Sequence, residues 1–137
     1  MIEVEIRKMA PEEVWFNVCR NVCFYGVSLS NGNVVGGVFA IPFVVDNSSG
    51  CYPSEGFVEV YGLNINKEYR RNGYGRRIML SLLQDFAGGW ICLMVEQNPS
   101  GMPLDALVAW YKRLGFVEGS PFHDEVGWLC KSPNAIA

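Results

Sequence analysis

The chain has no apolar window approaching the eighteen or so residues that a membrane-spanning helix needs. Its opening residues, MIEVEIRKM, alternate charge with aliphatics and lack the apolar core of a signal peptide. A cytoplasmic protein with no membrane association is the expectation. Histidine occurs once, at His123, and the five cysteines (Cys19, Cys23, Cys51, Cys92 and Cys130) are odd in number and scattered among apolar neighbours. Cys19 and Cys23 could share a helix face, but a zinc site would lack its remaining ligands. Reduced thiols, no disulfide framework and no metal are therefore expected. There is also no internal repeat and no low-complexity linker.

What is present is enough for one folded domain spanning residues 1–137. Half of the 137 residues are hydrophobic and 18% are charged, so burial of apolar surface can offset the conformational entropy of the chain. Strand-like and helix-like stretches alternate. The first strand is expected at residues 2–7 and a short helix at 11–20. FYGVSLS and NVVGGVFAIPFVV flank Asn31-Gly32, and Asn-Gly between two β-rich runs predicts an antiparallel hairpin because both residues tolerate positive φ. DNSSGCYPSEG reads as a loop.

In the next strand, FVEVYGLNI, Val58 and Val60 set one phase of the alternation while Leu63 and Ile65 take the other. One extra residue at Gly62 would bring both aliphatic pairs to the same side, so a β-bulge is expected there. The alternative is a strand buried on both faces, which needs no fixed phase. Ile78, Met79, Leu82, Leu83 and Phe86 then mark one face of a helix that starts near Tyr74 and stops at Gly88-Gly89. WICLMVEQN reads as a buried strand over residues 90–96. A second helix follows Pro103, with Leu104, Leu107, Val108, Tyr111 and Leu114 at helical spacing and Gly115 as its stop. FVEG and DEVGWLCK form a closing hairpin.

Between strand and helix lies NKEYRRNGYGRR, which holds five of the eleven Lys and Arg residues of a chain with net charge −3. A helix start offers unpaired N–H groups and the positive end of the macrodipole, glycines admit close backbone approach, and arginine adds bidentate donors. The combination reads as a phosphate cradle. It is not a P-loop, since no Gly-Lys-Ser/Thr follows, and Ile78 stands where a dinucleotide fingerprint has its third glycine. A solvated helix cap is the bland alternative.

Arg70-Arg71-Asn72-Gly73-Tyr74-Gly75 resembles the R/Q-x-x-G-x-G/A signature of the GNAT superfamily of N-acetyltransferases, and it likewise follows a strand and opens an amphipathic helix. WYKRLGFVEG is similar to the closing stretch of that family, so the likeness runs from about residue 24 to 120. It implies an α/β (α+β) fold with a central, mostly antiparallel, twisted mixed sheet, a bulge near Gly62 and flanking helices. Acetyl-CoA would be the co-substrate. Its pyrophosphate would meet the backbone N–H groups of Arg71, Asn72, Gly73, Tyr74, Gly75 and Arg76, with Arg70 opening the motif. The pantetheine arm would pair with Leu63, Asn64 and Ile65, and Asn98 would be a further contact.

The activity implied is direct attack of a primary amine on the thioester. Tyr111, by its place in the motif, would protonate the departing thiolate. Glu59, favoured because its strand approaches the acyl group, or Glu96 would take the proton of an ammonium whose free pKa is near 10.4. The core reading of Tyr111 and the solvated-carboxylate reading of both glutamates stay open. Two departures from the family pattern bear on this. The family places two helices between its first two strands, where this chain has room for about one, leaving an acceptor side suited to a peptide, a protein or a second copy. Twelve residues also separate Asn98 from Tyr111, more than the family's usual spacing.

Outside residues 67–77 there are six basic residues against thirteen acidic ones. That balance favours cationic amines and disfavours nucleic acid. The readings in play are an N-acetyltransferase, an inactive acyl-CoA-binding or protein-interaction module of the same fold, and a single-strand contact through RRNGYGRR.

Overall fold

The computed structural model describes residues 4–9, 23–43, 56–95 and 102–133. Among the described residues seven strands and two α-helices follow one another as β1 (Val4–Met9), β2 (Cys23–Leu29), β3 (Val34–Phe43), β4 (Phe57–Ile65), α1 (Tyr74–Asp85), β5 (Trp90–Met94), α2 (Leu104–Lys112), β6 (Val117–Glu118) and β7 (Trp128–Lys131). Hydrogen bonding orders the strands β1-β2-β3-β4-β5-β7-β6. β4 and β5 are parallel, while β1–β2, β2–β3, β5–β7 and β6–β7 are antiparallel. The expected mixed, mostly antiparallel α+β architecture is what forms. Two compact units divide the chain, Met1–Ile41 with Tyr61–Asp85 and Pro42–Val60 with Phe86–Ala137.

The first unit is built on the β2–β3 hairpin. Only Gly32 of its turn has positive φ (+90°). Gly32 N–H donates to the Leu29 carbonyl at 2.9 Å, and Leu29 N–H to the Asn33 carbonyl at 2.8 Å. The Asn-Gly hairpin is present, but as a three-residue loop closed by a left-handed glycine, without the left-handed asparagine that a two-residue turn requires. Asn31 instead uses its side-chain oxygen to accept from Asn33 N–H at 2.9 Å.

Helix α1 packs on β1 and β2, and its buried residues are Ile78, Met79, Leu82 and Leu83. Those four side chains supply on the order of 8 kcal/mol of gross burial free energy, far more than helix propensity contributes. Tyr25, Val27, Val38 and Ala40 are fully buried in the strands of the same unit. The Tyr25 hydroxyl donates to Asp85 Oδ2 at 2.6 Å and so fixes the last residue of α1 to β2.

In β4 the burial alternation runs through Val58 and Val60, breaks at the exposed pair Tyr61 and Gly62, and resumes in the other phase at Leu63 and Ile65. Gly62 sits at φ +72°, the left-handed backbone of a bulged residue. The phase fault in the sequence therefore coincides with a left-handed glycine at which the burial phase changes.

In the second unit β4 pairs with β5 from Phe57↔Trp90 through Val60↔Leu93, and β4 itself continues to Ile65. β5 ends at Met94, short of the expected 96. Helix α2 buries Leu107 and Tyr111 but leaves Leu104 half exposed at its first turn. Gly115, at φ +103°, stops it as expected. The first strand runs Val4–Met9 and so continues past its expected end at Arg7, while residues 2 and 3 lie outside the described residues. The expected helix at 11–20 lies outside the described residues, as do Cys19, Cys51, Glu96 and Asn98. Among the described residues no helix is long and apolar enough to cross a membrane.

Candidate active site

The Gly-x-Gly stretch lies wholly in the first unit. After β4 a single 3-10 turn, Lys67–Tyr69, reverses the chain. Two left-handed residues then follow, Arg71 at φ +65° and Gly73 at φ +78°. Arginine has no preference for that region, and a side chain there costs roughly 1–2 kcal/mol. Its neighbours hold it: Asn72 Nδ2 donates to the Tyr69 carbonyl at 3.1 Å and to the Arg70 carbonyl at 3.2 Å. Left-handed residues spaced by one ordinary residue along a short turn are a backbone pattern of the kind found in anion nests.

Helix α1 follows directly at Tyr74. Its first intrahelical bond runs from Arg77 N–H to the Gly73 carbonyl at 3.1 Å, so the N–H groups of Tyr74, Gly75 and Arg76 have no partner within the helix. The first turn carries no acidic residue, and Arg71, Arg76 and Arg77 are exposed. The positive end of the helix is thus left without a neutralising carboxylate of its own. At Gly73 a Cβ would meet nothing within 4 Å, which means the backbone there faces open space. The residues present fit a diphosphate on both geometry and charge.

Arg70 turns back toward β4. Its Nε donates to the Ile65 carbonyl at 2.6 Å, and its Nη2 reaches Asn64 Oδ1 at 3.4 Å. The structure therefore brings together Asn64, Ile65, Arg70 and the turn through Gly75, with Leu63 and Ile65 half-buried and Asn64 exposed.

Tyr111 and Glu59 belong to the second unit. Tyr111 is 8% exposed, edge-on to Trp110 and Phe116. Burial pushes its phenol up to about 12, so it keeps its proton at any physiological pH. Glu59 is half-buried and lies opposite Cys92 in the parallel β4–β5 register. Arg71's left-handed backbone and the Lys67–Tyr69 turn were not foreseeable from sequence, because no residue type there announces them. Among the described residues no group of three or more His, Cys, Asp or Glu side chains is placed to hold a metal.

The family model described as the acetyltransferase (GNAT) family matches residues 3–116. No curated protein sequence is significantly similar to this one. Solved structures share the fold at low identity, three of them as follows. The putative acyl-CoA N-acyltransferase of Klebsiella pneumoniae is 15% identical with TM-score 0.61, covering 97% of this chain and 98% of its own. Arabidopsis thaliana NAA60 in complex with a bisubstrate analogue is 16% identical with TM-score 0.60, covering 84% and 77%. The Bacillus subtilis N-acetyltransferase YlbP in complex with coenzyme A is 18% identical with TM-score 0.56, covering 83% and 70%.

Proposed function

Because the chain belongs to the GNAT acetyltransferase family, we propose that it transfers the acetyl group of acetyl-CoA to a primary amine by direct attack, residues 1–137 acting as one catalytic domain. The observation that carries the reading is the cradle. Arg71 and Gly73 are left-handed ahead of a twelve-residue helix whose first turn holds arginines and no acid. In YlbP, which shares the fold, coenzyme A is the bound molecule.

In this reading the N–H groups from Arg71 to Arg76 receive the pyrophosphate, and Leu63, Asn64 and Ile65 offer the strand end to the pantetheine amides. An N–H near Leu63 or Asn64 stabilises the developing oxyanion. Tyr111 gives its proton to the leaving thiolate: burial keeps the phenol protonated at neutral pH, and the same burial makes it a weaker donor than a free tyrosine. Glu59 removes the ammonium proton, directly or through water. Glu96 as an alternative base and Asn98 as a further coenzyme contact belong to the same proposal. The acceptor is a small amine, a peptide or a protein, and nucleic acid is not a partner.

Thiol release from acetyl-CoA in the presence of an amine panel tests this. Amine-dependent release that is saturable in both substrates is expected. Tight acetyl-CoA binding with no turnover on any amine would favour the inactive binding module instead.

A further inference from the structure

Cys92 of β5 and Cys130 of β7 are direct partners in an antiparallel ladder. Both thiols are free and buried, at 0% and 1% exposure. Strand alternation puts them on the same face as Trp128, and Phe57, Trp90, Met94 and Phe122 pack against the three. Opposed residues of antiparallel strands carry Cβ atoms about 4.5–5.5 Å apart. A disulfide spans roughly 3.5–4.5 Å between the same atoms, so a small adjustment closes the pair. The ladder sets the two thiols against one another, and Ser120 lies beside the pair.

The family's chemistry as proposed above uses neither thiol. We propose that Cys92 and Cys130 form a peroxide-sensitive dithiol that closes to a cross-strand disulfide. Cys130 is the attacking sulfur: the ladder sets the two thiols face to face, and their pairing lowers the pKa of the Cys130 thiol despite its burial while it raises that of Cys92. Cys130 Sγ attacks one peroxide oxygen, the O–O bond breaks, and the thiol proton leaves with the other oxygen as water. Cys130 then carries a sulfenic acid. Cys92 Sγ attacks that sulfur, the S–O bond breaks, and the Cys92 proton leaves with the oxygen as a second water. Two thiols are oxidised and one peroxide is reduced to two waters.

The oxidant has to be small. The loop between β6 and β7 covers this face: Ser120 Oγ lies 2.7 Å from His123 Nδ1 and accepts from Phe122 N–H at 3.0 Å. The His123 ring stacks on Trp128 at 3.5 Å between centroids. These are local contacts on a surface loop whose Val126 is 94% exposed. Local opening there admits peroxide and hinders a bulky disulfide. Cys23, the other described free cysteine, belongs to the first unit.

The test uses the full, reduced chain treated with hydrogen peroxide, alkylated under denaturing conditions and analysed as peptides by mass spectrometry. The expected product is lighter by two hydrogens, contains a peptide joining Cys92 to Cys130, and returns to the starting mass with a reductant. Under the same dose Cys92→Ser should gain oxygen at Cys130 and form no such peptide. Wild-type protein in which both cysteines stay alkylatable while Cys23 is oxidised would overturn the proposal. So would independent oxygen addition at each site without a bridge.

Discussion

Arg70 donates through Nε to the carbonyl of Ile65 at 2.6 Å, tying the end of β4 to the turn that opens α1. The same guanidinium reaches Asn64 Oδ1 at 3.4 Å, so one planar fork sets the distance between strand end and cradle. Lysine keeps the charge and loses the fork. Arg70→Lys should weaken acetyl-CoA binding about tenfold, or roughly 1.4 kcal/mol, by calorimetry. Unchanged affinity would mean that the cradle holds its shape without this brace.

Gly73 combines φ +78° with open space on its Cβ side. Asparagine tolerates that backbone and valine does not. Gly73→Val should abolish coenzyme binding, whereas Gly73→Asn should keep the fold and lose affinity only in proportion to the room its side chain occupies. Equal affinity in wild type and Gly73→Val would remove the cradle from the account.

Tyr111→Phe separates acid from core. The ring contacts with Trp110 and Phe116 survive the change, so a kcat lower by about 10²-fold with KM for acetyl-CoA nearly constant is expected. A parallel loss of coenzyme affinity would assign Tyr111 to packing alone.

Alkaline stability follows from two phenols. Burial raises Tyr111 to about 12, and burial with the hydrogen bond to Asp85 raises Tyr25 well above its ordinary 10.0. Between pH 10 and 12 the unfolded chain gives up these protons and the native chain keeps them, so stability falls as pH rises. For Tyr111 the loss across that window is roughly 2–3 kcal/mol. Thermal melts of Tyr111→Phe should show a shallower decline than wild type above pH 10, and identical slopes would contradict the burial of this hydroxyl.

Tyr25→Phe removes the donor to Asp85 across the first unit. A loss of roughly 1.5–3 kcal/mol is expected, since the acceptor is a carboxylate. Denaturant unfolding at neutral pH measures it, and a change below a few tenths would mean that Asp85 finds another donor.

Much of this was legible in the sequence. The spacing of Ile78, Met79, Leu82 and Leu83 located α1 because helical burial has a period the sequence must obey, and the phase fault at Gly62 located the left-handed residue where burial changes phase for the same reason in a strand. Asn31-Gly32 marked the hairpin, although side-chain capping by Asn31 and a left-handed Gly32 replaced the turn expected. Arg71's conformation was not legible, because it is imposed by Asn72 and by the turn before it. Nor was the Cys92–Cys130 pairing, which depends on the register of strands far apart in sequence. Leu104 fits the helical spacing and still stays half exposed, since periodicity names a face and not the point where burial ends.

The most direct measurement is calorimetric titration of the purified chain with acetyl-CoA, coenzyme A and a short single-stranded oligonucleotide at one salt concentration. Micromolar binding of acetyl-CoA and coenzyme A with no oligonucleotide binding is the predicted result. Failure to bind either coenzyme, with or without oligonucleotide binding, would contradict the assignment of Arg71–Arg76 as a pyrophosphate cradle.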